Sequence, residues 1–214
     1  MNLHFAKNIK TLTSVVGLFA LTACGPLISL GNDGPADEVF SLRYPAAFKN
    51  ASATGPIIYV DGPQLVEGID GRGVAVRLAG NKRTVLEGAA WAAHLSDLVR
   101  DYVIHALASQ TNVNLVSEGG LDIEAGCRLG IKVWAMEFVP GKSASEDQVQ
   151  VAMQFSLVRL ADSKLLAHPT FSKNEAVISS DGSGVVAAFN AAMESASHDY
   201  SRWLNERAGE CGRN

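Results

Sequence analysis

Three cysteines carry the most reactive side chains of this sequence: Cys24, Cys127 and Cys211. A cysteine thiolate can be acylated, can attack a substrate, or can pair with a second thiol in an oxidising compartment. Cys24 differs from the other two in its surroundings, because it closely follows a short apolar stretch near the N-terminus.

The residues before Cys24 have the pattern of an export signal. Lys7 and Lys10 supply positive charge, no acidic residue precedes Cys24, and an apolar run covers 15–21. A helix that crosses a bilayer needs roughly 20 apolar residues, so this run is too short to span one. Its length and the small residues that follow are typical of a signal peptide. The pattern predicts a signal peptide over 1–23, cleaved before Cys24.

The segment Leu21-Thr22-Ala23-Cys24 resembles the lipobox of bacterial lipoproteins. The resemblance implies a diacylglyceryl thioether on Cys24 and a further acyl chain, such as palmitate, on its new amine. One acyl chain binds a membrane marginally, at about 0.8 kcal/mol per buried methylene, whereas two or three bind durably. Two alternatives stay open: an ordinary secretory signal with an incidental cysteine, and a buried N-terminal helix.

The other two cysteines then form an even pair. In an oxidising periplasm Cys127 and Cys211 are candidates for a disulfide. In the chain-entropy model, a bridge that closes a loop of about 85 residues stabilises the fold by roughly 4–5 kcal/mol, as an upper figure. The alternative is that the two thiols are buried separately.

The chain after Cys24 predicts a flexible tether and then one folded domain. Glycines and prolines break both helical and strand periodicity within 24–37, and a coil of about 13 residues spans roughly 20 Å. The remaining stretch, 38–214, suits a single domain. With 47% hydrophobic and 19% charged residues, the chain can form a sizeable core.

The charge balance excludes one class of partner. The formal net charge is −4, and loss of Lys7 and Lys10 with the signal peptide makes it more negative. A protein of this sign lacks the basic footprint that binds nucleic acid. By the same argument, anionic lipid head groups would not attract it. The sequence therefore assigns membrane attachment to the lipid on Cys24.

Strand and helix patterns alternate along the domain. Alternating apolar residues predict strands, most clearly over 129–133 and 149–157. Apolar residues at helical spacing predict one helix over 95–107 and a longer one over 185–204. Strands, an intervening helix, a three-stranded meander and a last helix predict an α+β domain. We expect a mainly antiparallel sheet with two principal helices packed on one face.

Catalytic and metal-binding patterns are almost absent. Asp101 and His105 lie four residues apart on the first predicted helix, a spacing that suits an acid–base or metal pair. The simpler interpretation is an exposed polar face opposite the Leu98–Tyr102 stripe. The sequence has no HExxH, CxxC or GxSxG motif. We therefore predict that the protein is not an enzyme and needs no metal and no cofactor.

Several segments follow the pattern of a known group of envelope proteins. They are the stretch Trp91-Ala92-Ala93-His94-Leu95 before the first helix, a strand with a Gly-Pro turn over 58–63, and the paired strands 129–139 and 148–160. In these segments and in the order of its elements, the chain resembles the ABC-type transport auxiliary lipoprotein family. It departs from the family over 65–72, where a Leu-Asp-Arg-like stretch is usual.

The resemblance implies a non-catalytic subunit of an envelope lipid-transport system. Such subunits work beside an ABC permease and ATPase and a periplasmic protein with MCE domains, and they move phospholipid or related molecules. The resemblance also implies that the lipoprotein docks the MCE protein at the outer membrane, with a homo-oligomer as a further option. Gly25 follows Cys24 where inner-membrane lipoproteins commonly have aspartate, which favours the periplasmic face of the outer membrane.

Two tryptophans are candidates for the partner interface, because aromatic residues concentrate at binding hot spots. They are Trp134, which alternation places opposite the apolar face of its strand, and Trp91, for which core packing is an equal alternative. Two other functions stay open. One is a lipoprotein of outer-membrane or lipopolysaccharide assembly, and the other is an envelope hydrolase that uses Asp101, His105 or Cys127.

Overall fold

The computed structural model describes residues 36–47, 53–117 and 123–212. They belong to a compact unit, Ala36–Asn214. The predicted signal peptide, Cys24 and nearly all of the predicted tether lie outside the described residues. Within those three ranges, no helix is long and apolar enough to cross a membrane.

Ten strands and two α-helices follow one another along the described chain. The strands are β1 (Glu38–Phe40), β2 (Ile57–Val60), β3 (Gln64–Leu65), β4 (Gly73–Leu78), β5 (Lys82–Trp91), β6 (Asn114–Val116), β7 (Cys127–Val139), β8 (Gln148–Arg159), β9 (Lys164–Ala167) and β10 (Thr170–Ala176). The α-helices are α1 (Leu95–Gln110) and α2 (Gly182–Arg207). Two short 3-10 helices cover Ala144–Glu146 and Ala208–Cys211.

The strands form one sheet around its longest member, β7. On one side β7 pairs antiparallel with β8 over its whole length. On its other side β2, β3 and β4 follow one another, each parallel to β7. β9 and β10 pair with the outer edge of β8, whereas β5 pairs with β4, β1 with β5 and β6 with β2.

The prediction of a mainly antiparallel sheet was wrong, because the sheet is mixed. Among the described strands four pairings are antiparallel and five are parallel. The antiparallel pairs join strands linked by short connections, whose turn residues are visible in the sequence. A parallel pair such as β2 and β6 needs a long crossover, here one that contains α1, and leaves no local turn signal.

The two helices follow the predicted periodicity. In α1 the buried residues recur at helical spacing: Leu95, Leu98, Val99, Tyr102, Val103, Ala106 and Leu107. The longer helix α2 begins after Asp181, whose carboxylate accepts a hydrogen bond from the Gly184 N–H at 2.8 Å. Such a cap satisfies one of the N–H groups that a helix leaves without a partner.

Helix α2 packs on the sheet through aromatic residues. The ring of Tyr200 lies 4.9 Å from that of Phe155 on β8, and Phe189 lies 5.7 Å from Trp91 at the end of β5. Helix α1 lies beside α2, and its Gln110 side chain donates a hydrogen bond to the Ser197 hydroxyl at 3.0 Å. The helices and the inward side chains of the sheet share one buried core.

A disulfide joins the first residue of β7 to the last 3-10 helix. The Sγ atoms of Cys127 and Cys211 are 2.02 Å apart, with the Cα atoms 5.3 Å apart. The neighbouring Gly126 has no room for a side chain, because a Cβ there would lie 2.0 Å from the Cys211 carbonyl oxygen. The end of the described chain is therefore held closely against the central strand.

Candidate docking surface

One face of the sheet is polar and carries neither of the described α-helices. Its side chains alternate with the core residues of β7, β8 and β10, and we call this surface the polar face. Its residues are Lys132, Trp134, Ala135, Glu137, Gln150, Ala152, Gln154, Thr170, Ser172 and Asn174. Ala135, Glu137 and Ala152 are buried within this face, whereas Trp134, Thr170, Ser172 and Asn174 are exposed and give it a largely polar surface.

Trp134 is the large aromatic residue of the polar face. It lies at a β-bulge, since the pairing of β7 with β8 shifts register between Val133 and Ala135. A bulge adds one residue to a strand and turns its side chain away from the regular alternation. Trp134 is 45% exposed, and the Lys132 ammonium lies 4.1 Å from its ring centroid. This cation–π contact limits the motion of an otherwise projecting ring.

Glu137 anchors the polar face at the end near the β4–β5 hairpin. Its side chain is buried, and its carboxylate pairs with Arg83 and with Arg77, the latter at 3.6 Å. Arg83 also donates a hydrogen bond to the Glu67 carbonyl oxygen at 2.8 Å. A buried carboxylate is stable only when it is paired and hydrogen-bonded. The pair therefore fixes the hairpin against the central strand.

A second ion pair lies at the opposite end of the polar face. The Arg128 guanidinium Nε donates to both carboxylate oxygens of Asp61, at 2.8 and 2.7 Å. The hydrogen bond to Asp61 raises the pKa of Arg128 above its ordinary value. A depression of about 190 Å³ adjoins the pair and is lined by Gly130, Gln154 and Ser156 among others.

The structure separates the two tryptophans that the sequence suggested for an interface. Trp91 is 1% exposed and packs on Phe189, so the domain surface does not display it. Our interpretation of Trp91 as an interface residue is thus corrected in favour of core packing, since its strand meets the start of α2. Trp134 remains the candidate, and its role in binding stays a prediction.

The residues considered for catalysis do not form a site. Asp101 is exposed and pairs with Arg100 at 3.4 Å, whereas the His105 ring lies 5.3 Å from Tyr44. Cys127 forms a disulfide with Cys211 and therefore has no free thiolate. Over the described ranges, no group of three or more histidine, cysteine, aspartate or glutamate side chains could hold a metal ion.

The ion pairs that frame the polar face have no local pattern in the sequence. Glu137 and Arg83 are 54 residues apart and belong to strands that are not adjacent in the chain. The one available signal was a glutamate between Met136 and Phe138, because a charged residue within an apolar strand needs a partner. The register of β4 with β7, which supplies that partner, had no counterpart in the sequence pattern.

The family of the chain follows from comparison with known proteins. A model of the family described as ABC-type transport auxiliary lipoprotein component matches residues 40–199. The match covers most of the chain, so this protein belongs to that family. It is an envelope lipoprotein component that accompanies an ABC-type transporter. A comparison with curated proteins gives no match.

Solved structures share this fold at low sequence identity. The protein XCC0632 of Xanthomonas campestris is similar with a TM-score of 0.67 and 22% identity, over 82% of this chain and 95% of that one. A second crystal structure, of an uncharacterised protein, has a TM-score of 0.63 at 13% identity, over 79% of this chain and 99% of that one. At such identities the likeness extends to the fold alone.

Proposed function

We propose that this lipoprotein docks the periplasmic MCE protein of an ABC lipid-transport system, with the polar face around Trp134 as the contact surface. The family supplies the coarse function, a component that accompanies an ABC-type transporter. The observation that carries the proposal is the exposed Trp134 ring, held by Lys132 in the middle of a face without a helix.

The composition of the polar face supports a protein partner. Interfaces place aromatic residues and arginines among hydrogen-bonding groups, and a few such anchors contribute most of the binding energy. Trp134 would be the anchor, because it exposes a large ring beside fixed polar groups of β8 and β10. The two ion pairs at the ends of the face, Arg128–Asp61 and Arg83–Glu137, hold the surrounding strands in place.

The proposal includes the membrane that holds the domain. Lipid on Cys24 would anchor the chain, and Gly25 favours the periplasmic face of the outer membrane. Mass spectrometry of the purified protein reads the acyl chains directly. A Cys24→Ser variant should lose them and leave the outer-membrane fraction. Acyl chains on a variant without Cys24, or unchanged fractionation of that variant, would contradict the anchor.

Site-specific cross-linking tests the contact surface. A photoreactive phenylalanine analogue at Trp134 should form an adduct with the MCE protein in native membranes. Val39 on β1 is the matched control, because it is 57% exposed and lies at the opposite edge of the sheet from β8 and β10. Equal adducts from both positions, or none with the MCE protein, would reject the surface. An adduct with a second copy of the chain would assign it to self-association instead.

A further inference from the structure

Three connections of the sheet meet at one end, which we call the tip end. They are the β4–β5 turn (79–81), the β7–β8 loop (140–147) and the β10–α2 connection (177–181). The register brings them together, because Val76 pairs with Phe138 and Gln148 pairs with both Val139 and Ala176. The opposite end of β8 is roughly 35 Å away at the usual rise per residue of a strand.

The tip end exposes apolar side chains that nothing in the described chain covers. Ile178, in the β10–α2 connection, is fully exposed, and Leu78, at the end of β4, is 42% exposed. Leu78 pairs directly with Lys82 across the hairpin, so an apolar and a cationic side chain project together. Exposed apolar residues among basic ones are typical of surfaces that lie in a membrane interface.

The hairpin at the tip end is basic although the whole chain is acidic. The stretch 77–83 contains Arg77, Lys82 and Arg83 and no acidic residue, and Lys142 is exposed in the neighbouring loop. A long-range field depends on net charge, but a contact depends on the charges within about 10 Å. The hairpin therefore offers local cations to anionic lipid, although the net charge of the chain predicts no long-range attraction.

The acidic groups of the tip end have donors within the protein. Glu137 is buried between two arginines. The Asp147 carboxylate accepts hydrogen bonds from the Gly141 N–H and the Ser180 hydroxyl. Glu146 accepts one from the Lys142 N–H at 3.1 Å, and Asp181 caps α2. Arginines compensate the charge of Glu137, and the other three carboxylates stay charged but accept hydrogen bonds from donors within the protein, whereas the Lys82 ammonium projects from the end of the hairpin.

The direction of β1 shows how far the start of the domain lies from the tip end. β1 is parallel to β5, with Glu38 beside Ala89 and Phe40 beside Trp91. Since β5 begins at the hairpin with Lys82, β1 runs away from the tip end, and Glu38 lies roughly 20 Å along the sheet from the hairpin. Cys24 lies 12 residues before Ala36, and a coil of that length spans roughly 20 Å. Lipid on Cys24 would therefore hold a bilayer within reach of this end.

We propose that the tip end rests on the phospholipid bilayer that holds the acyl chains, with Leu78 and Ile178 in the interface and Lys82 on anionic head groups. This inference rests on the proposed lipidation of Cys24. It extends the proposed docking function because it orients the domain: the strands of the polar face would run along the membrane normal. The disulfide end would then point into the periplasm.

The test uses the lipidated full chain in vesicles. A polarity-sensitive fluorophore is attached to cysteine in Ile178→Cys, with Leu165→Cys at the far end as the matched control. In vesicles of phosphatidylcholine with one third phosphatidylglycerol (a proportion on the order of that in anionic membranes), lipid-borne nitroxide should quench the label at 178 several-fold more than at 165. Equal quenching, or stronger quenching at 165, would overturn the orientation.

A second pair of variants tests the charge. Lys82→Gln should lower the equilibrium constant for contact between the tip end and the anionic bilayer about fivefold, as measured by quenching of the label at 178. In pure phosphatidylcholine it should leave this constant unchanged. Lys164→Gln, at the far end, should change neither. No effect of Lys82→Gln in anionic vesicles would refute the electrostatic part. The intact mass of the same preparation reports the lipid on Cys24 separately, so failure of the anchor and failure of the orientation give different results.

Discussion

The Glu137 carboxylate on the central strand accepts a hydrogen bond from the Arg83 guanidinium on the β4–β5 hairpin, across 54 positions of sequence. Glu137 is 1% exposed, so this contact decides whether a buried charge is compensated. It also joins the surface that we assign to a protein partner to the hairpin that we assign to the membrane. The stability of both regions depends on the same pair.

Loss of Arg83 should therefore destabilise the domain. We expect Arg83→Met to lower the free energy of unfolding by about 2–3 kcal/mol, because a buried carboxylate loses its nearest partner while Arg77 remains. Denaturation by urea measures the change. Arg202→Met is the control and should change stability by less than about 0.5 kcal/mol, since that residue is exposed. Adding Glu137→Gln to Arg83→Met should restore part of the loss, and a further loss would contradict the pairing.

The two tryptophans should respond in opposite ways to the same substitution. Trp91→Ala should cost about 3–5 kcal/mol of stability, because it empties a core position. Trp134→Ala should leave the unfolding transition almost unchanged and reduce co-purification of the MCE protein. Thermal unfolding and quantitative pull-down from membranes measure the two effects. A stable Trp134→Ala protein that still binds with wild-type affinity would remove Trp134 from the interface.

Removal of the Cys127–Cys211 disulfide should lower stability substantially. The two residues are 84 positions apart, and in the chain-entropy model a bridge of that span stabilises by about 4–5 kcal/mol, as an upper figure. Urea denaturation of the Cys127→Ser/Cys211→Ser variant measures the loss. A reductant should shift the transition of the wild type and have no effect on the double variant. A wild-type transition that the reductant does not shift would show that the bridge is not formed.

The helix cap at Asp181 predicts a loss of stability in acid. Hydrogen bonds from Ser179, the Gly184 N–H and Ser183 lower the pKa of Asp181 from 3.8 to about 2. A carboxylate whose folded-state pKa lies below its unfolded value stabilises the fold above pH of about 4, and that stability is lost as the pH falls towards 2. Asp181→Asn keeps a capping oxygen without the charge. Its stability should depend less steeply on pH between 4 and 2 than that of the wild type, and equal slopes would count against the cap.

Removal of the buried Tyr200 hydroxyl, unlike the changes above, should not lower the stability of the fold. Tyr200 is 0% exposed, and its Oη has no hydrogen-bond partner among the described residues. Burial raises the pKa of this phenol well above its ordinary value. Because a buried hydroxyl without a partner is unfavourable, Tyr200→Phe should leave stability unchanged or raise it slightly. A loss of more than about 1 kcal/mol would show that the hydroxyl is hydrogen-bonded.

Features that lie within one element were predictable from the sequence, whereas features that join distant segments were not. Periodicity located α1 and α2, and strict alternation located the core of β7 and β8, because both patterns lie within one element. The parallel pairings of β2, β3 and β4 with β7 were missed, since they depend on contacts between distant segments. The same limit applies to the surface. Trp134 was visible from alternation, whereas the partners of Glu137 required the register of a strand about 60 residues away.

The bulge at Trp134 also constrains how this sequence can vary. Before it, Leu129, Ile131 and Val133 point into the core, and after it Met136 and Phe138 do so. The inward positions thus change from odd to even numbers, and one extra residue is needed where they change. Deleting one residue at the bulge would leave Val133, Met136 and Phe138 in regular alternation and in register with β8, so these residues would still point into the core. The bulge therefore supplies the extra outward position at Trp134, and a deletion there would remove that position while the core residues of β7 keep facing inward.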